Sequence, residues 1–356
     1  MASIRVKSIS IQNFKGIKNL DLGFTYPNSS GTLLNNIVIY GVNGSGKSTI
    51  LEAIYLCLIV ASTYQGKEKG KNLLKSIEEY LVDTISLGSE WIHNNEEKFT
   101  LRITIIDNLK ELVGTLTYHK KEGLSWNKNS RDDLSETFKQ SFTFLSSYRL
   151  LNPSTVQNAG DWSEIERIED DITKSRFISS RRLPNYMRRE EHYFPSLSLQ
   201  FENNYKTVKQ FLVNLITDKK VEAITNKNQM VLDKIKIAFK IFFPNKEFLE
   251  QLSRTDNLKD YRLMIKNEDG SVVDLDQLSS GEREIIAFFT FLCTKSINNS
   301  ILIIDEPELH LHAKWQSILL YAIREIFPDS QLFLATHSNE IYQSASESEV
   351  FEVEKE

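Results

Sequence analysis

Alternating apolar and polar residues predict several half-buried β-strands near both ends of the chain. The alternation runs through residues 5–11, 17–24, 99–106, 111–119 and 261–265. Successive side chains of a strand point to opposite faces, so this pattern is typical of strands with one buried face. The first two stretches are expected to pair as a hairpin, and residues 107–110 are expected to join the next two.

Other stretches are apolar without interruption. Asn36–Tyr40 and Ile301–Ile304 are short runs of this kind, and a similar run leads into His337. Continuous runs are typical of parallel strands that are buried on both faces of a sheet. After Ser48 the apolar spacing becomes helical as far as about residue 60. Parallel strands followed by helices predict an α/β fold.

The middle of the chain has a different pattern. Residues 132–258 are charged and mostly helical in spacing, with apolar residues at helical intervals between 205 and 243. Heptads are not sustained, which argues against a long coiled-coil arm. The predicted organisation is an α/β head built from residues 1–120 and 261–356, interrupted by a largely helical insertion at 121–260.

Composition restricts the class of protein. The 356 residues are 40% hydrophobic and 26% charged, as in a soluble globular protein. The N-terminus lacks the apolar core of a signal peptide, and no apolar run reaches the roughly 18 residues of a membrane span. Only Cys57 and Cys293 are present, without metal-ligand spacing, which predicts free thiols in a reducing cytoplasm. The net charge of −5 means that nucleic-acid binding would need a local basic patch.

Residues 41–48 match the phosphate-binding pattern G-x-x-x-x-G-K-[ST]. A predicted strand precedes the loop and a predicted helix follows it, which is the context that distinguishes the motif from a chance match. The backbone N–H groups of such a loop point at phosphates, and the helix N-terminus adds its dipole. Lys47 is expected to reach the β- and γ-phosphates, and Ser48 to ligate Mg²⁺. The expected nucleotide contacts in this loop are Asn43, Gly44, Ser45, Gly46, Lys47, Ser48 and Thr49.

Two acidic residues follow a predicted buried strand. Asp305 and Glu306 come directly after the run Ile301–Ile304. In open α/β sheets, ligands bind at the carboxyl ends of the strands. We therefore expect Asp305 to associate with Mg²⁺ and Glu306 to orient and polarise the attacking water. The simpler alternative is a strand that ends in two solvated acids.

A third segment, Leu278-Ser279-Ser280-Gly281-Glu282, has the form of a helix start. The Ser279 hydroxyl is expected to cap a helix that begins near Gly281, with Glu282 in its first turn. Taken alone, the segment predicts no more than a capped helix.

Together, the motifs resemble the ABC-type ATPase heads of the SMC and RecF group, and most of all the OLD (overcoming lysogenization defect) branch. Four segments carry the resemblance: 11–17, 41–49, 278–283 and 304–312, the last followed by Trp315-Gln316. They lie near the two ends of the chain, and residues 120–260 match no family segment. The fold implied is an α/β P-loop NTPase head with a mixed sheet flanked by helices.

The resemblance implies that ATP and Mg²⁺ are bound between two copies of the chain. In that group the signature segment, here 278–282, faces the nucleotide of a partner chain. Ser279 and Gly281 would then contact the partner's γ-phosphate. His337 would be the catalytic switch histidine that senses the γ-phosphate, beside the catalytic residues Lys47 and Glu306. Lys15 would lie near the nucleotide, and His310–His312 would cross the dimer interface.

Some family features differ or remain open. Ser280 replaces the glycine of transporter-type signatures, and with the Asn13-Phe14-Lys15 opening it argues against a transporter subunit. Gln157 and Gln140 are alternative candidates for the glutamine loop. OLD nucleases continue into a Toprim nuclease domain, whereas this sequence ends at Glu356. The dimer is therefore expected to act through the insertion or through a separate effector, such as a nuclease or a toxin.

A basic strip lies in the predicted insertion. It comprises Lys174, Arg176, Arg181, Arg182, Arg188 and Arg189, with Phe177 and Tyr186 interleaved. Arginines can bind phosphates in a forked geometry and aromatic rings can stack on bases, so the strip is a candidate DNA contact. A solvated basic surface that pairs with nearby acids such as Glu190 and Glu191 is an equally open interpretation.

The resulting functional hypothesis is a cytoplasmic ATPase that dimerises around ATP and controls a partner effector or a DNA-bound complex. A setting in prokaryotic anti-phage defence or DNA maintenance is implied by the resemblance alone. The alternative is a scaffold that binds ATP, turns it over slowly and sequesters an effector.

Overall fold

The computed structural model describes residues 4–27, 31–63, 91–107, 110–129, 142–145, 204–254, 261–295, 301–308 and 311–354. The strands, in chain order, are β1 (Ile4–Phe14), β2 (Ile17–Gly23), β3 (Asn36–Tyr40), β4 (Lys98–Asp107), β5 (Lys110–His119), β6 (Gly123–Lys128), β7 (Phe142–Leu145), β8 (Glu247–Arg254), β9 (Tyr261–Lys266), β10 (Val272–Asp274), β11 (Ile301–Asp305), β12 (Gln331–Thr336) and β13 (Val350–Glu352). The α-helices are α1 (Lys47–Thr63), α2 (Asn204–Lys220), α3 (Asn226–Phe242), α4 (Ser280–Lys295), α5 (Ala313–Ile326) and α6 (Asn339–Ser344). Over these ranges, no helix is both long and apolar enough to cross a membrane.

The alternating stretches form an antiparallel sheet with the strand order β2-β1-β4-β5-β6. The predicted hairpin is confirmed, because β1 pairs with β2 from Phe14↔Ile17 onward. The next two alternating stretches also pair as predicted, from Lys98↔His119 to Asp107↔Lys110. One face of this sheet packs on α1 in a shared hydrophobic core.

The continuous apolar runs form a parallel sheet with the strand order β13-β3-β12-β11-β7. Both faces are buried, as predicted. Ile303 and Phe333 belong to the core that contains α1, whereas Leu302 and Leu334 belong to the core that contains α3, α4 and α5. Because successive side chains of a strand alternate in direction, one run of apolar residues fills both cores. Complete burial of each such side chain adds roughly 1.5–3 kcal/mol to the free energy of unfolding.

The register of the parallel sheet brings three strand ends together. Tyr40 at the end of β3 pairs with Thr336 at the end of β12, and Asp305 at the end of β11 pairs with Ala335. Residues that follow β3, β11 and β12 therefore leave the sheet at the same edge. The phosphate loop, Glu306 and His337 all lie in these connections.

The described residues of the stretch 121–260 contain strands beside the predicted helices. They include α2 and α3, but β6 extends the antiparallel sheet, β7 pairs with β11, and β8 forms a three-stranded sheet with β9 and β10. Four residues are too few for periodicity to distinguish a strand such as β7 from a helical segment. Its pairing with β11, from Phe142↔Ile301 to Leu145↔Ile304, decides its conformation. The three-part division of the chain stays a proposal.

Candidate nucleotide-binding site

The phosphate loop connects β3 to α1, as the motif predicts. Gly46 has φ of +96°, a left-handed conformation that favours glycine. Gly41 approaches the C-terminal strand so closely that a Cβ atom there would lie 2.3 Å from the carbonyl oxygen of Val353. The loop therefore requires glycine at both positions, at one for backbone conformation and at the other for space.

Two side chains of the loop, Ser45 and Lys47, are buried. The Nζ atom of Lys47 donates a hydrogen bond to the carbonyl oxygen of Val42 at 2.9 Å, across the loop. The Oγ atom of Ser45 is buried and has no hydrogen-bond partner among the described residues. A buried polar atom without a partner is unusual, and it is consistent with a loop whose polar groups serve a ligand.

Ser48 and Asp305 are in direct contact although 257 positions separate them. The Oγ atom of Ser48 donates a hydrogen bond to Oδ1 of Asp305 at 3.0 Å. The pKa of Asp305 is raised to about 7, chiefly by burial and in smaller part by the neighbouring carboxylates of Glu306, Glu52 and Glu308. The hydrogen bond from Ser48 acts in the opposite direction and lowers it. A hydroxyl and a carboxylate in an acidic pocket are the oxygen ligands that suit Mg²⁺, which commonly takes one or two carboxylates together with substrate phosphates.

Glu306 follows Asp305 in a left-handed conformation with φ of +45°. This region costs a non-glycine residue on the order of 1–2 kcal/mol, and such strain is frequent at functional sites. The Glu306 backbone N–H donates to the carbonyl oxygen of Ala335 at 2.9 Å, which holds the bend against β12. The carboxylate lies 3.9 Å from Nδ1 of His337.

Glu308 organises the residues around His337, a role that sequence reasoning missed. Its Oε1 atom accepts hydrogen bonds from the Thr336 hydroxyl at 2.7 Å and from the His337 backbone N–H at 2.8 Å. The same atom lies 3.0 Å from Nδ1 of His337. Glu308 is buried, while the His337 side chain is 42% exposed, so its ring is accessible to a ligand. The signal in the sequence was a third acid, after Asp305 and Glu306, in the strand-end motif.

Lys15 lies in the tight turn between β1 and β2, next to the phosphate loop. The turn is close to the loop because a Cβ atom on Gly46 would lie 3.4 Å from Cγ1 of Ile17. The Nζ atom of Lys15 forms an ion pair with Glu52 at 2.6 Å and lies 3.9 Å from the ring centroid of Trp91. Both partners were missed from sequence, since neither belongs to a motif.

The signature segment forms the capped helix start that the sequence predicts. The Oγ atom of Ser279 accepts a hydrogen bond from the Glu282 backbone N–H at 3.3 Å. In return, the Ser279 backbone N–H and hydroxyl both donate to Oε2 of Glu282, each at 2.9 Å. This reciprocal pair is a capping box at the start of α4. The remaining N–H groups of the first turn give this end of the helix a positive potential.

A pocket of about 480 Å³ joins the phosphate loop to His337. Its lining residues are Tyr40, Gly41, Val42, Asn43, His337, Glu352, Val353 and Glu354.

Several predicted positions lie outside the described residues: Gln140, Gln157, His310 and the strip of Arg176, Arg181, Arg182, Arg188 and Arg189.

Known proteins share the sequence pattern of this chain. The family described as "AAA domain, putative AbiEii toxin, Type IV TA system" matches residues 37–342. The chain is 26% identical to the "Retron Vc95 probable ATPase" of Vibrio cholerae serotype O1 biovar El Tor, over 95% of this chain and 71% of that protein. It is 24% identical to the "Septu protein PtuA" of Bacillus mycoides (strain KBAB4), over 94% of this chain and 38% of that protein.

Solved structures share its fold. The Smc head bound to the C-terminal winged-helix domain of ScpA superposes with a TM-score of 0.53 at 15% identity, covering 96% of this chain and 92% of that chain. The family match and this fold confirm the predicted α/β P-loop fold and the resemblance to ABC-type ATPases of the SMC and RecF group.

Proposed function

This chain belongs to that AAA-domain family, and we propose that it is a Mg²⁺-dependent ATPase that dimerises around two ATP molecules. The observation that carries the proposal is the 3.0 Å hydrogen bond between Ser48 and Asp305, which joins the phosphate loop to the acidic strand end. Relatives whose names include "probable ATPase" support it.

The proposed chemistry assigns one task to each residue. Lys47 binds the β- and γ-phosphates, while Ser48 and Asp305 hold Mg²⁺, which when bound neutralises phosphate charge. Glu306 orients the attacking water. His337, whose side chain is 42% exposed, contacts the γ-phosphate through Nε2. The backbone N–H groups of Gly44 to Thr49 contact the remaining phosphate oxygens, and Lys15 supports the loop from its flank.

The second half of each site comes from the partner copy. The Ser279 hydroxyl, the Gly281 backbone N–H and the N-terminus of α4 form a positive cap for the γ-phosphate of the partner's nucleotide. The SMC-head fold supports this arrangement. Two chains then enclose two ATP molecules, and neither chain completes a site alone.

The output proposed for the dimer is control of a separate effector, a nuclease or a toxin, or of a DNA-bound complex through the strip at Arg176–Arg189. Relatives named for a retron and for Septu support a setting in prokaryotic anti-phage defence. DNA maintenance remains the second setting, and the cytoplasm is the proposed location.

A slow-turnover scaffold is the second candidate function. Two groups proposed to donate hydrogen bonds to phosphate already have partners within the chain. Lys47 donates to Val42, and Ser279 donates to Glu282. Both contacts must break before the groups reach a phosphate, which would slow assembly of the site. ATP turnover measured with and without the protein encoded by the neighbouring reading frame separates the two candidates.

The dimer is tested with Glu306→Gln. Without the carboxylate, hydrolysis slows while binding persists, so light scattering with Mg²⁺ and ATP should show a stable dimer. A variant that remains monomeric with ATP contradicts the proposal. Mixing Lys47→Ala with Ser279→Arg then tests the shared site: each is inactive alone, and the mixed dimer regains one intact site if Ser279 acts on the partner's nucleotide.

A further inference from the structure

Acidic residues surround the signature segment on both sides in the chain. Residues 274–284 contain four carboxylates, on Asp274, Asp276, Glu282 and Glu284, and one guanidinium, on Arg283. The net charge of this segment is therefore −3 before any outside partner is counted. A phosphate approaching Ser279 would be repelled unless part of this charge is neutralised.

Two lysines from the middle of the chain pair with these carboxylates, and Arg262 of β9 adds a third cation 3.7 Å from Oδ2 of Asp274. Lys209 of α2 is 2% exposed, and its Nζ atom lies 2.5 Å from Oδ2 of Asp276 and 3.8 Å from Oδ1 of Asp274. Lys246 follows α3, and its Nζ atom lies 2.6 Å from Oε1 of Glu282. Asp274 and Asp276 precede Ser279 in the chain, and Glu282 follows it.

Lys246 acts on the carboxylate that is closest to the proposed phosphate position. Glu282 holds Ser279 through Oε2 and receives Lys246 through Oε1, so one carboxylate links the two residues. Burial acts to raise the pKa of Glu282, but the hydrogen bonds from Lys246 and Ser279 outweigh it and lower the pKa. The side chain is 15% exposed, so water screens its charge only in part.

Aromatic packing fixes the position of the turn that presents Lys246. The ring of Phe242 lies 5.3 Å from that of Phe289 in α4, and the ring of Phe243 lies 5.6 Å from that of Trp315 in α5. The turn therefore contacts the signature helix and the helix that follows the proposed interface-crossing loop. Movement of α3 would carry Lys246 with it.

We propose that Lys209 and Lys246 are positioning residues that neutralise the signature segment, so that Ser279 can approach the γ-phosphate of a second copy of this chain. The inference rests on the proposed ATP-driven dimer. A partner that moved α2 or α3 would withdraw the countercharge, leave Glu282 unpaired beside Ser279, and prevent closure of the dimer. Residues 204–246 thereby regulate the shared site without contacting the nucleotide.

The test measures ATP-dependent dimerisation in the Glu306→Gln background. Lys246→Met should raise the dimer dissociation constant about tenfold at low salt, because an unpaired carboxylate then faces the phosphate. The defect should shrink as ionic strength rises. Adding Glu282→Gln should restore dimerisation, since the amide oxygen still accepts from Ser279 and the repelling charge is gone. Lys236→Met is the matched control, because Lys236 pairs with Glu250 at 2.5 Å, away from the signature segment.

Each outcome decides between charge and packing. If the double variant dimerises as weakly as Lys246→Met alone, or if the defect does not change with ionic strength, the proposal is overturned in favour of a structural role. Unchanged dimerisation of Lys246→Met overturns it as well. Lys246→Gln is the second variant if Met impairs folding, with the same expected loss and rescue. A parent that does not dimerise with ATP would instead contradict the proposed function itself.

Discussion

The buried carboxylate of Glu308 lies 3.0 Å from Nδ1 of His337 and accepts that residue's backbone N–H at 2.8 Å. A hydrogen bond in this contact needs a proton on Nδ1, and such a bond would fix the orientation of the ring. The other ring nitrogen, Nε2, is then free to face a ligand. Carboxylates orient functional histidines in this way in many sites, and Glu308 is placed to do the same for His337.

Replacing Glu308 by Gln should lower ATP turnover by about tenfold while leaving ATP affinity nearly unchanged, because a neutral amide oxygen holds the ring more weakly than a carboxylate does and no phosphate contact is lost. Steady-state turnover and equilibrium binding of a fluorescent ATP analogue provide the two measurements. The exposed Glu325→Gln is the control. Equal losses in turnover and affinity would show that Glu308 supports the fold of the site and does not orient the histidine.

Asp305 should make the stability of the metal-free protein dependent on pH. Its pKa is raised from 3.8 to about 7 by burial, so between these values the folded state retains a proton that the unfolded state has lost. Stability should therefore fall as pH rises through this window. Asp305→Asn should stabilise the metal-free protein at pH above 7, by on the order of 4 kcal/mol, and should abolish Mg²⁺-dependent turnover. Thermal unfolding with EDTA at acidic and at alkaline pH measures this effect. An equal stabilisation at both pH values would contradict the assignment.

Gly41→Ala should damage both the fold and the nucleotide site. The added methyl group would lie 2.3 Å from the Val353 carbonyl oxygen, a backbone atom that cannot move without displacing the strand end. We expect a loss of about 1–3 kcal/mol in the free energy of unfolding, together with weakened ATP binding. Gly23→Ala is the control, because no atom lies within 4 Å of its added Cβ. Chemical denaturation checks stability, and equal behaviour of the two variants would argue against the close approach.

The basic strip provides a separate prediction. Arg181→Glu combined with Arg182→Glu should abolish retention of DNA while ATP binding persists, because phosphate contacts dominate such affinity. A gel shift at low salt makes the comparison. The double variant Lys220→Glu and Lys227→Glu changes charge equally at exposed positions elsewhere, and it should retain DNA. Unchanged DNA affinity of the arginine variant would leave the solvated surface as the interpretation.

Local pattern was sufficient to predict most of the head. The bounds of β3 agree with the run Asn36–Tyr40, and β11 is buried throughout as its continuous apolar run requires. The Ser279 cap follows from residue type and position alone. Periodicity reports which face of an element is buried, and cap residues report where a helix starts, so these features are encoded by neighbours in the chain.

The motifs, the fold class and the buried strands follow from the order of residues along the chain. The contacts of Ser48 with Asp305, of Glu308 with His337 and of Lys246 with Glu282 become known only from the folded structure. The folded structure also decided that β7 is a strand, through its pairing with β11. Hydrophobic periodicity reports only on residues a few positions apart in the chain. These contacts instead depend on the register of distant strands and on the direction in which side chains leave loops.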